Sequence, residues 1–320
     1  MLGWSVYVIL YNYDFSNYSE KIRLLLGYKG VSWKSVEVPS YGHKPGFTHL
    51  TGGYRRAPVL QIGADVYCDT RLIAEVLESL FPNPTIYPGA CIARTKAQCE
   101  TIIYWAENSL MRPLALYVTG LYANKFPLAF HLDRAKLHGK VPPSLERVRQ
   151  SAKTYFPQVK AQLHWIEGLL SGGQNYILSD SLSLADLAVY QCPWFIEKIV
   201  GDLSLLNDMP KLLQWTARIS KIGWGNSSST TSEAALDLAR VSSPEDLISS
   251  PSYEMSEEIK PGEMVEVSPF GEDSSTYGWL EYADESRLIV RNRASDLGNV
   301  FIHFPRLGYR IRARQVTDIR

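Results

Sequence analysis

Residues 57–77 read APVLQIGADVYCDTRLIAEVL, and the order of elements in that stretch decides the fold. Two short apolar runs, APVLQI and ADVYC, are separated by Gly63 and read as a hairpin. The second runs through Cys68, Asp69 and Thr70 straight into DTRLIAEVLESLF, whose apolar residues recur at helical spacing. A proline at the head of a buried strand is unusual, because it has no N–H to give to a ladder. Pro58 therefore marks an edge strand or a special local geometry.

Upstream of this stretch, SVYVILY (5–11) is β-branched and aromatic, as a buried strand should be. SNYSEKIRLLLGYKG (16–30) follows as a helix that opens on Ser/Asn capping residues and closes at Gly30. VSWKSVEVP (31–39) is the next strand, which completes a βαβ unit. The order βαβ, loop, ββα makes residues 1–85 a small α/β sandwich. From NPTIYPGACIARTK onward the period is helical to about Trp224, and segments such as LADLAVYQCPWFIEKIV (184–200) are apolar on more than one face. Residues 86–225 thus form an all-α domain. Residues 226–255 are rich in Ser and Thr, with one helix at SEAALDLAR, and read as a linker or wrapping segment. Residues 256–320 change pattern again. GEMVEV, GWLEYA, SRLIVRN, VFIHF and YRIRARQ alternate over short runs and read as a small all-β, barrel-like module.

Lys plus Arg and Asp plus Glu balance at 33 each, so no net field recruits nucleic acid or an anionic membrane. The four arginines of PRLGYRIRAR (305–314) read as a solvated strand face. Cys68, Cys91, Cys99 and Cys192 form no CxxC pair and have no His partner at metal-ligand spacing, which argues against a metal site or a disulfide framework. The N-terminus lacks the basic segment and cleavage site of a signal peptide, and no apolar run approaches the roughly 18 residues of a membrane span. The chain reads as soluble and cytoplasmic.

Three motifs, FSNYSEKIRLLL (15–26), RRAPVLQIG with YCDT (55–63 and 67–70) and SLSLADLAVY (181–190), stand in order and at family spacing. On them, residues 1–225 resemble the cytosolic glutathione transferases: a thioredoxin-like glutathione-binding domain followed by a helical domain. The resemblance says nothing about residues 256–320. It implies that Pro58 is a cis-proline that turns the next residue's backbone outward, so that Val59 offers its N–H and C=O to the cysteinyl part of glutathione. It implies further that Asp69 pairs with the α-ammonium group. Thr70, at a helix start, receives the α-carboxylate. His43, Lys44 and Arg56 match loop positions that anchor the glycyl carboxylate. Ser16 aligns with the family's Ser/Cys position facing the sulfur and is the candidate catalytic residue; Asn17 follows it where many relatives have Pro. Tyr104, Trp105, Tyr117 and Tyr122 fall where relatives line the electrophile pocket. Ser183 and Asp186 match a structural capping box. Glutathione is then the co-substrate, with no metal, and a homodimer is expected by resemblance.

The magnitudes suit that chemistry. A free thiol ionises near pH 8.5. One hydrogen bond to a charged group supplies about 1.5–3 kcal/mol, a helix N-terminus adds about 0.3–2, and one pKa unit corresponds to about 1.4. One hydroxyl and a helix start therefore suffice to lower a thiol by one to two units. Beside this enzyme reading stands a second: a non-catalytic glutathione- or ligand-binding protein whose β module recruits a partner. Ser16 is then a plain N-cap, Asp69–Thr70 a plain helix start, His43 a solvated loop residue and Cys68 a packing residue.

Overall fold

The computed structural model describes residues 7–243, 259–294 and 297–315. The start of the first strand, the end of the 226–255 segment and the opening residues of the β module lie outside these.

The expected βαβ, loop, ββα order holds. Strand β1 (Val8–Asn12), helix α1 (Asn17–Tyr28) and strand β2 (Ser32–Glu37) are followed by a short helix, α2 (Phe47–Leu50). Then come β3 (Val59–Ile62), β4 (Asp65–Cys68) and α3 (Thr70–Leu80). β1 lies parallel to β2 and antiparallel to β3, and β3 pairs antiparallel with β4. Gly63, at φ +58°, makes the tight β3–β4 turn that a side chain would strain.

The all-α domain contains α4 (Ile92–Trp105), α5 (Met111–Leu121), α6 (Leu128–Leu137), α7 (Leu145–Leu169), α8 (Leu184–Val200) and α9 (Pro210–Ser220). A π-helical turn at Ala106–Leu110 joins α4 to α5. None of the helices among the described residues is long and apolar enough to cross a membrane. Tyr104, on α4, is exposed, Trp105 donates to Gln162 of α7 at 3.0 Å, and Tyr122 donates to the Val200 carbonyl at 3.0 Å.

β1 is buried on both faces, and its alternation separates two cores. Val8 and Leu10 join a core with α1, α3 and the helical domain. Ile9 and Tyr11 face the other way, into a core shared with the C-terminal strands. Those strands are β6 (Met264–Pro269), β7 (Thr276–Ala283), β8 (Arg287–Ala294), β9 (Gly298–Pro305) and β10 (Tyr309–Ala313), one for each alternating run. They form a meander whose last strand returns beside the first. β9 also pairs in parallel with β4, so the module continues the N-terminal sheet. On the opposite edge, β5 (Asn226–Ser229) pairs in parallel with β2, and α10 (Ser232–Val241) buries Ala235, Leu236 and Ala239 in the second core. Two of the arginines in this stretch are less solvated than its alternation suggests: Arg310 of β10 donates to Ser268 at 2.7 Å, and Arg314, just past β10, pairs with Glu266, while Arg312 is exposed.

A buried pair ties β4 to β9. His303 Nε2 lies 2.7 Å from Asp65 Oδ1, and the imidazole stacks on Tyr67 at 4.5 Å. Burial, aided by Arg287 and opposed by Asp65, holds the His303 imidazole below its usual pKa, so the neutral ring donates from Nε2. The unfolded chain therefore takes up this proton first as pH falls below about 6.5. The stability the pair contributes is full above that pH and is lost as pH falls on through the folded-state value. The unfolding midpoint of the wild type is expected to fall more steeply on acidification from pH 7.5 than that of His303→Gln. Equal slopes for the two proteins would remove His303 from this role.

Candidate functional site

One row of residues crosses three strands: Tyr11 pairs with Val59, and Val59 pairs with Cys68. Beyond that row, at one end of the sheet, lie the β1–α1 loop that leads to Ser16, the Ala57–Pro58 bend and the start of α3. Residues separated by about fifty positions in sequence are thus gathered at a single sheet end.

Ser16 caps α1. Its backbone is extended, and its Oγ accepts from Ser19 N at 3.1 Å. The hydroxyl donates to nothing among the described residues, so its hydrogen is uncommitted. Ser16 is 1% exposed. Asn17, at the first helical position, donates to Gln191 of α8 at 2.9 Å and to Met111 Sδ at 3.4 Å, clamping the start of α1 to the helical domain.

Ala57–Pro58 is cis. Val59 is buried between Tyr11 and Cys68, so its backbone is committed to the ladder. Ala57, half-buried just before the ladder begins, has an N–H and a C=O without backbone partners among the described residues. It is better placed than Val59 to meet a ligand's peptide group.

Asp69 is the N-cap of α3, accepting from Arg71 N at 3.0 Å through Oδ1. Among the described residues it alone, apart from glycines, has a positive φ, +76°. Such backbone costs on the order of 1–3 kcal/mol and persists where the surroundings enforce it, often at ligand sites. Thr70 follows, buried, at the first position of α3.

The loop residues divide. His43 is exposed and has no hydrogen-bond partner among the described residues. Lys44 is buried: its Nζ donates to the Arg55 carbonyl at 2.9 Å and lies 5.4 Å from the Phe47 ring centroid. Burial, followed by Arg134 and Arg55, pushes the Lys44 amine down to about 8. Arg56 donates from Nε to Glu272 of the β module at 2.8 Å. Burial works against its charge, but Tyr54, Tyr309, Glu272 and Asp69 outweigh burial and raise its pKa.

Sequence reasoning missed two groups. Tyr18, in the first turn of α1, feels the charges of Glu107, Arg56 and Asp69, and burial pushes its phenol well up, so it remains a donor. Tyr13, Phe15, Phe126 and Phe130 form an aromatic cluster beside Ser16, with Phe15 and Phe126 ring centroids 6.0 Å apart. The spacing of Phe126 and Phe130, four residues apart, was visible, but which way they faced was not. Cys68 is buried and burial pushes its thiol well up, consistent with packing.

The model of the glutathione S-transferase N-terminal domain matches residues 10–85, and that of the C-terminal domain matches 121–222. Among solved structures, a GST-like protein from Pseudomonas syringae is 32% identical, with a TM-score of 0.75 over 97% of this chain and 100% of its own. A glutathione S-transferase from Rhodospirillum rubrum F11 is 20% identical, with a TM-score of 0.52 over 67% of this chain and 87% of its own. One from Methylobacillus flagellatus KT, solved with glutathione bound, is 18% identical, with a TM-score of 0.51 over 68% and 98%. No curated protein matches the chain.

Proposed function

Because the chain belongs to the glutathione S-transferase family, we propose that it binds glutathione and presents it as a thiolate to a hydrophobic electrophile. The observation that carries this reading is the sheet end at which Ser16, the Ala57–Pro58 bend and Asp69–Thr70 come together. Ala57 takes the cysteinyl peptide group, Asp69 the α-ammonium group, and Thr70 with the α3 N-terminus the α-carboxylate. Arg56 and Lys44 lie toward the glycyl end. The sulfur then falls toward Ser16, whose uncommitted hydrogen stabilises the thiolate, and the aromatic cluster offers an apolar surface to the electrophile.

Ultraviolet difference spectroscopy of glutathione added across pH tests this directly. A thiolate band is expected well below the pH at which free glutathione ionises, at about one to two units lower. Absence of the band at saturating glutathione would overturn the enzyme reading. The burial of Ser16 and its capping bond favour a second reading, a protein that binds glutathione without turnover. Conjugation assayed with a generic electrophile separates the two.

A further inference from the structure

The β module touches both charged residues assigned above to the ends of glutathione, and the inference drawn from this rests on that assignment. Glu272 lies in the turn between β6 and β7, with its side chain 4% exposed. Its Oε1 accepts from Arg56 Nε at 2.8 Å, and its Oε2 accepts from Ser274 Oγ at 3.3 Å. Arg56 is 38% exposed, and its two terminal nitrogens have no hydrogen-bond partner among the described residues. Tyr309, at the start of β10, donates to Asp69 Oδ2 at 3.2 Å and shares a 2.9 Å bond with the Tyr54 hydroxyl.

The turn that carries Glu272 is braced from both domains. Asp273 N donates to the Leu137 carbonyl at 2.9 Å at the end of α6, and Thr276 Oγ1 donates to the Thr51 carbonyl at 3.1 Å. At Gly53, an added Cβ would come within 2.5 Å of the Ser275 carbonyl oxygen, so the loop before Arg56 closes against the turn without room for a side chain.

We propose that the β module positions the two ends of the glutathione site: Tyr309 orients Asp69 for the α-ammonium group, and Glu272 orients the Arg56 guanidinium for the glycyl carboxylate. A guanidinium tethered through Nε keeps its paired terminal edge for a second, bidentate carboxylate. Asp69 behaves likewise, with Oδ1 held by Arg71 N and Oδ2 by Tyr309, and lone pairs left for an ammonium. Both side chains are held in place before the ligand arrives, so their rotamer freedom is not lost on binding. Glu272 and Tyr309 are positioning residues; neither need touch the sulfur.

The test uses calorimetric titration of the full chain with three ligands: glutathione, its des-amino analogue and its glycinamide. Tyr309→Phe keeps the ring that packs on Phe304 and Tyr54, and is expected to bind glutathione about fivefold more weakly while binding the des-amino analogue as the wild type does. Glu272→Gln is expected to lose about tenfold for glutathione and nothing for the glycinamide. Equal losses for all three ligands would mean that the module is merely structural, and tighter binding would mean that it competes for the site; either overturns the proposal. Failure of the wild type to bind glutathione would remove the underlying functional reading, and this inference with it.

Discussion

Replacing Ser16 by alanine is expected to slow glutathione conjugation by roughly ten- to a hundredfold, a loss of about 1.4–2.7 kcal/mol of transition-state stabilisation. The substitution removes two things at once. The hydroxyl hydrogen is lost to the thiolate, and the Oγ that accepts from Ser19 N is lost to α1. The second loss costs about 1 kcal/mol of stability whatever the chemistry. Ser16→Gly separates them, because glycine caps a helix within a few tenths of a kcal/mol of serine yet has no hydroxyl. The glycine variant should therefore be as slow as the alanine variant and nearly as stable as the wild type, with the thiolate band shifted to higher pH. A glycine variant with wild-type kcat/KM would leave Ser16 as a cap alone. The donor role would then pass to Tyr13 or Tyr18, since the Tyr11 hydroxyl is already given to Gln61 at 2.8 Å.

Much of this site was legible because it breaks local rules. Pro58 stands where a strand should donate a hydrogen bond, and Asp69–Thr70 lies at an abrupt strand-to-helix passage; both are anomalies within a few residues of sequence. Where the ladder begins is not visible in the sequence: the register places Val59 inside it and leaves Ala57 just outside. Arg56 was recognised as a cation, but its partner Glu272 lies 216 positions away and the Asp69–Tyr309 contact spans 240, beyond any periodicity argument. The strands of the β module were each visible as alternating runs. Their attachment was not, because β4 reads as the second strand of a hairpin and nothing local shows that its free edge receives β9. The strained φ of Asp69 was hidden for a related reason: aspartate is an ordinary N-cap residue, and the sequence shows the cap without its backbone.

The capping box in the helical domain carries the other large expected effect. Asp186 Oδ2 accepts from Ser183 N at 2.9 Å and from Ser183 Oγ at 2.6 Å, and Oδ1 accepts from Ile177 N at 2.8 Å and Trp215 Nε1 at 3.0 Å. Asp186 and Ser183 are fully buried, so water cannot replace these bonds without opening the core. A reciprocal cap alone is worth about 1 kcal/mol. Here the same carboxylate also fastens the preceding loop at Ile177 and the indole of α9 to the start of α8. Asp186→Ala leaves two backbone N–H groups and one indole N–H buried without acceptors, at about 1–3 kcal/mol each before relaxation. The expected loss is about 3–5 kcal/mol, measured as a lower midpoint in urea unfolding with an unchanged slope. Asp186→Asn should recover part of it, because its carbonyl oxygen can still accept at one of the two positions while its amide cannot accept at the other. A loss below about 1 kcal/mol for Asp186→Ala would show that Asp186 is a cap and no more, with the helical core held by its apolar packing alone.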